Sequence, residues 1–181
     1  VLSVAAYWER RYAAGGDSGD GSRGRKARIK ARRINKVIAE HDVASVIDWG
    51  CGDGEVLQHL DPTPAYTGVD VSPTVLQRVS RRFPGRIFYL DGTATTAELA
   101  LSLDVLHHFP ADADYHGYLD RVFASAWRFV LAHTTNRDRP SNAHVRHRPV
   151  VDDVAARFPD WQVTDRWPGV NTCEFFLWSP R

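Results

Sequence analysis

The chain has 181 residues, no methionine and only two cysteines, Cys51 and Cys173. Two thiols make no disulfide framework, and a bridge at Cys51 would obstruct the glycine-rich run that contains it, so a reducing cytoplasm is the expected compartment. Without a methionine, Val1 is not expected to be the encoded start, and a removed leader stays open. No run approaches the roughly 18 apolar residues of a membrane span. The opening VLSVAAYWERRY is charged too early for a signal peptide. Internal repeats and long linkers are lacking too, which predicts one domain over residues 1–181, divided into an amino-terminal lid and helix (1–41) and a core (42–181).

Charge of one sign is also lacking: the formal net charge is +1. The near-balance hides an asymmetry, because Arg23 to Lys36 holds eight basic residues and no acid. Ala27, Ala31, Ile34 and Ile38 fall at helical spacing, so one stripe packs while the basic residues face water. The functional alternative is an anionic substrate or a nucleic acid. No aromatic interleaving favours single strands.

The most informative stretch is Val46-Ile-Asp-Trp-Gly-Cys-Gly-Asp-Gly54. An apolar strand enters three glycines, where the backbone can turn sharply and approach a ligand. Strand, glycine turn and an expected helix over 54–60 make a nucleotide-type cofactor site. Dinucleotide folds favour G-x-G-x-x-G/A, but here the run is G-x-G-x-G and Glu55 stands at the third dinucleotide position. A pyrophosphate there would meet a carboxylate. S-adenosylmethionine has no phosphate and would not. The next strand ends in Asp70, about twenty residues after the first glycine, where a carboxylate can accept from both ribose hydroxyls. A third ends at Asp91-Gly92, and Asp91 can accept from the adenine amino group.

DWGCGDG, YTGVDVS, YLDG and LALSLDVLHHF, in that order, resemble the successive motifs of class I S-adenosylmethionine-dependent methyltransferases. The resemblance runs from about Ser45 to the end. It implies an α/β, Rossmann-like sheet of seven strands, mostly parallel with an antiparallel last strand and helices on both faces. It also implies bound S-adenosylmethionine and methyl transfer. By position, Asp48, Gly50, Cys51, Gly52 and Gly54 match the loop under the methionine part. Asp70 and Val71 match the ribose side, Asp91 and Gly92 the adenine side, and Asp104 the end of the fourth strand. Trp49 departs from the pattern, where a smaller residue is usual. The opening YWERRYAAGGDSGDGSRGR, continued by Lys30 and Asn35, resembles a group of small methyltransferases whose genes accompany glycan biosynthesis. That favours a lid over the cofactor for residues 15–22, against the disordered linker that their composition alone suggests.

Strands are expected at 45–49, 65–70, 86–90, 99–104, 127–133, 161–166 and 173–179, and helices near 25–41, 54–60, 73–83, 112–125 and 150–157. Ser72 and Pro73 read as cap and first turn. WPGVN reads as a hairpin-like connection between the last two strands. Asp48, Asp70, Asp91, Asp104 and His133 all terminate strands, which places them at one edge.

Histidines crowd the same region, and histidine is the natural base near neutral pH. His108 and His107 are the leading candidates for the base that a hydroxyl acceptor needs, with His133 next. The loop Thr134 to Pro149 supplies His144, Arg146 and His147 as substrate contacts, with its arginines suited to a carboxylate or phosphate. His144-x-x-His147 with His133 or Asp104 offers a competing divalent-metal site, but no acid or cysteine spacing supports it, and no metal is expected. The reading is O-methylation of a small molecule or glycan. The alternatives are a nucleic-acid methyltransferase, against which stands the absence of an N-P-P-Y-type motif after the fourth strand, and a cofactor-binding module without turnover. Trp8, Trp127, Trp161, Trp167 and Trp178 are expected to be core or cofactor-packing residues rather than an interface. Oligomeric state is left open.

Overall fold

From Ser45 onward, apolar five- to nine-residue segments alternate with amphipathic ones, and the alternation resolves into a parallel sheet wrapped by helices. The computed structural model describes residues 3–93, 95–142 and 145–181. The strands are β1 (Ser45–Trp49), β2 (Ala65–Asp70), β3 (Ile87–Leu90), β4 (Ala97–Leu103), β5 (Ala126–Thr134), β6 (Arg139–Asn142), β7 (Val145–His147), β8 (Trp161–Pro168) and β9 (Glu174–Pro180). The helices are α1 (Val4–Ala13), α2 (Gly24–Glu40), α3 (Pro73–Arg82), α4 (Asp112–Ala124) and α5 (Val150–Arg157).

Seven strands form one sheet in the order β3-β2-β1-β4-β5-β9-β8, and β6 and β7 form a separate ribbon. Strands β1 to β5 run parallel, while β9 is antiparallel to both β5 and β8. The expected sheet, with its antiparallel last strand, is therefore present. The two faces carry separate cores, as strand alternation requires. Ile47, Trp49, Ala100, Val130 and Trp178 pack with α4 and α5. Val46, Leu99, Leu101, Leu131 and Leu177 pack with the Ala27–Ala31–Ile34 stripe of α2. Trp49 is absorbed into the first core, where its indole N–H donates to Ser125 Oγ at 2.8 Å.

Chain direction across the sheet reverses between β1 and β4. There the crossovers leave in opposite directions and open a crevice. Trp49 is in register with Val69 on one side and Ser102 on the other, so Gly50, Asp70 and Asp104 emerge side by side.

Several expectations need correction. The helix over 54–60 is absent: a single 3₁₀ turn, Leu57–His59, stands there. Gly54 begins the segment at φ +77° and Pro62 follows closely, which leaves too few residues for a stable helical nucleus. Glu55 turns away from the crevice to Arg82, at 2.8 Å, so its carboxylate does not guard a phosphate site. An unexpected helix, α1, precedes the glycine-rich stretch and is capped by Ser3 Oγ. The loop after β5 folds into the β6–β7 ribbon. Trp178 is core, but Trp127 is 57% exposed. None of the described helices is long and apolar enough to cross a membrane.

Candidate active site

The crevice is a cavity of about 450 Å³. Its first wall is backbone. Gly50 has φ +79°, and a Cβ there would lie 2.5 Å from Val105 Cγ2. Gly50 and Cys51 donate their N–H groups to Val69 O, which draws the loop down between β1 and β2. Asp70 then accepts from Gly52 N at 3.0 Å and from Ser72 N at 3.0 Å. Each oxygen keeps acceptor capacity. Burial, opposed by these backbone bonds, pushes the Asp70 carboxyl up to about 6. Burial likewise pushes Asp48 up to about 6. Asp48 lies beneath the loop, with Oδ2 accepting from Tyr66 and Oδ1 buried without a hydrogen-bond partner.

Residues 15–22 close over this wall. Ser18 and Asp53 bond reciprocally: Ser18 N donates to Asp53 Oδ2 and Asp53 N donates to Ser18 Oγ, both at 3.1 Å. A Cβ at Gly52 would stand 2.2 Å from Ser18 Oγ, so only glycine admits the contact. Arg78 donates to Tyr12 O and Gly16 O, and Glu9 accepts from Ser72 and Thr74 at the start of α3. Trp8, Tyr12, Ser18 and Gly21 thereby line the cavity.

The opposite wall is made of side chains. His107 and His108 lie on the turn after β4 with ring centroids 4.4 Å apart, and His147 on β7 lies 5.7 Å from His107. Thr135 Oγ1 is 2.7 Å from His147 Nδ1. Burial, then the neighbouring His108, pushes His107 down to about 3, and its Nδ1 is buried with no hydrogen-bond partner. Burial, then Arg137 and Arg139, also lowers His147. The His107 and His147 rings are therefore neutral near pH 7.

Asp104 sits between the two walls at φ +63°. Its Oδ1 lies 2.5 Å from His133 Nδ1 and its Oδ2 2.5 Å from Lys30 Nζ. Burial opposes ionisation, but the His133 bond and the Lys30 ammonium outweigh it and hold the carboxyl well below the usual carboxylate range. Val170 N donates to His133 Nε2 at 3.1 Å. His133 therefore carries its proton on Nδ1 and donates it to Asp104. Both of its nitrogens are occupied and it does not line the cavity, a placement that suits orientation and not proton abstraction.

Of the residues expected at the site, Gly50, Asp70, Val71, Asp91, Asp104, His107, His108 and His147 line the cavity. Asp48, Cys51, Gly52, Gly54, Gly92 and His133 support or flank it. Arg146 pairs with Asp112 at the surface, 2.8 Å away. His144 lies outside the described residues. Asp91 Oδ1 is 3.2 Å from Arg121 Nε, an ion pair without hydrogen-bond geometry. Asp104, His133 and Cys173 bring donor atoms within 4.8 Å of one another. A divalent ion does not fit this set without displacing Lys30 and the Val170 N–H, and burial, with Asp104 next, pushes the Cys173 thiol up to about 12.

Lys30 stands out in the sequence only within the amino-terminal resemblance, which gives it no role at the site. The helical pattern places the basic residues of 23–36 in water, yet Lys30 is fully buried. Its position, three after Ala27 and four before Ile34, was the available signal. The water-facing expectation holds for Arg25, Arg28 and Arg32, which are exposed.

A family model described as a methyltransferase domain (Methyltransf_23) matches residues 22–167. The chain belongs to this methyltransferase family. The chain is 28% identical over 153 residues to trans-aconitate 2-methyltransferase of Methylobacterium nodulans, covering 75% of this chain and 59% of that one. It spans less than two thirds of the length of the curated relatives it matches. Its fold is shared with magnesium protoporphyrin IX methyltransferase of Synechocystis with bound SAM, at TM-score 0.76 and 11% identity over 100% of this chain and 99% of that one. It is shared as well with the N-methyltransferase NodS of Bradyrhizobium japonicum in complex with S-adenosylhomocysteine, at 0.71 and 15% over 99% of each chain.

Proposed function

We propose that this methyltransferase moves a methyl group from S-adenosylmethionine to a hydroxyl oxygen of a small-molecule or glycan acceptor. The observation that carries the reading is the single cavity that joins the Gly50 turn and Asp70 to the His107–His108 pair. The residues suit the cofactor. Gly50 leaves backbone space, and Asp70 keeps acceptor capacity for ribose hydroxyls. When bound, S-adenosylmethionine supplies a methyl group on a sulfonium whose leaving thioether is neutral, so no general acid is needed.

The chain's own residues supply position and a proton acceptor. Positioning can contribute roughly 7–11 kcal/mol in favourable cases. His108 takes the hydroxyl proton, a role worth about 10²–10⁴-fold. Burial leaves its neighbour His107 a weak base, which favours His108 over His107. Residues 1–41 act as lid and lid-bearing helix, and the Ser18–Asp53 bonds hold the lid on the glycine loop. A small anionic acceptor is favoured by Arg137 and Arg139 beside His147 and by a relative named for trans-aconitate.

Two measurements test the reading. Calorimetry of ligand-free protein should register binding of S-adenosylmethionine and S-adenosylhomocysteine; no heat from either would end it. Incubation with methyl-labelled cofactor and extracts split into metabolites, glycans and RNA should label a metabolite or glycan fraction. Label in RNA alone would favour the nucleic-acid alternative, with the exposed arginines of α2 as its contact.

A further inference from the structure

A lysine with no exposed surface is uncommon unless it is paired, and Lys30 is fully buried. Its partner is Asp104, 2.5 Å away. Removing two charges from water is seldom repaid in stability by their mutual attraction, so the pair invites an explanation other than stability. Asp104 is held unusually firmly. Its backbone is left-handed, a conformation that persists only where surroundings impose it. His133 donates to one oxygen and Lys30 to the other, and the Cys173 sulfur lies within 4.8 Å of the same carboxylate. A Cβ on Gly21 would lie 3.2 Å from Asp104 Oδ2, so the chain entering α2 passes directly over it. Segments from α2, β5 and the β8–β9 connection thus converge on one carboxylate at the cavity wall, beside the Gly50 turn. A carboxylate has about four acceptor sites, and these two donors leave acceptor capacity on it.

We propose that Lys30 is a positioning residue for methyl transfer: it fixes the Asp104 carboxylate so that a remaining acceptor site receives the hydroxyl of the incoming acceptor and orients it between the glycine turn and His108. The proposal rests on the methyltransferase reading above. Asp104 orients and does not abstract, because its donors keep it a poor base. The lid helix, which carries Lys30, thereby completes the acceptor site as well as covering the cofactor.

The test compares Lys30→Met, Lys30→Arg and the double variant Lys30→Met/Asp104→Asn with wild type. S-adenosylhomocysteine binding, melting temperature, and kcat and KM for the labelled acceptor fraction are measured in each. Lys30→Met should lower the melting temperature, because it strands a buried carboxylate. The acidic limb of its kcat profile should move to higher pH, since Asp104 loses the ammonium that favours its charge. The double variant removes both charges and should recover melting temperature and S-adenosylhomocysteine affinity while kcat stays about 10- to 100-fold down. Lys30→Arg keeps the pair in a longer head group and should fold normally with a raised KM for the acceptor. Wild-type kcat and KM in either folded variant would show a purely structural ion pair and overturn the proposal. Absence of S-adenosylhomocysteine binding by wild type would instead remove the underlying methyltransferase reading.

Discussion

The two ends of the cavity are built by different means. The end proposed to hold the cofactor is backbone: Gly50, Gly52 and their neighbours turn between β1 and the stretch before β2, and main-chain N–H groups donate to Asp70. The opposite end, proposed to take the acceptor, is side chain: Asp104, His107, His108, Thr135 and His147 arrive from the ends of β4 and β5 and from β7, with Lys30 of α2 behind Asp104. A backbone-built wall needs particular residues at consecutive positions, so it leaves a compact motif. A side-chain wall needs only that distant elements meet, and it leaves scattered histidines and acids with no spacing between them.

The contrast can be broken from either end. Replacing both His107 and His108 by alanine should have the largest effect, a fall in kcat of about 10²–10⁴-fold with S-adenosylhomocysteine affinity unchanged. Unchanged turnover would remove the base from that wall. Gly52→Val should do the reverse. It places a side chain at φ +54° against Ser18 Oγ, and a strained backbone of this kind costs about 1–3 kcal/mol, so cofactor affinity should fall about 10- to 100-fold on calorimetry. Wild-type affinity in that variant would mean that the lid and loop do not meet in solution.

A pH series sharpens the comparison further. Asp70 is raised from 3.8 to about 6, chiefly by burial. The folded chain therefore binds that proton more tightly than the unfolded chain, and the stability of ligand-free protein should fall as pH rises from about 4 to 6. The ribose hydroxyls donate to the carboxylate, so cofactor affinity should rise as Asp70 ionises, by about tenfold between pH 5 and 7. Flat affinity over that range would take Asp70 out of the contact. The smallest expected change belongs to Ser18→Ala, which removes the hydroxyl's bond from Asp53 N. A loss of about 0.5–1.5 kcal/mol is expected, read as faster proteolysis of residues 15–22 with little change in melting temperature.

The strands were legible because apolar runs ended in acids or glycines: β1, β2 and β3 fall within a residue of their expected bounds. The expected helix over 54–60 failed where a helical pattern of side chains met a left-handed glycine and a nearby proline. The lid was half legible. Its composition suggests flexibility, whereas the Ser18–Asp53 and Arg78 bonds that order it join residues more than thirty positions apart.

By itself the sequence determined the sheet, the glycine turn and the acids at the strand ends, because each depends on local periodicity or on the backbone freedom of a single residue. Only the tertiary structure decided that His133 faces Asp104 and not the cavity, and that one lysine in a run of eight basic residues turns inward. Burial and pairing of a charge depend on what lies across the fold, and local sequence does not contain that information.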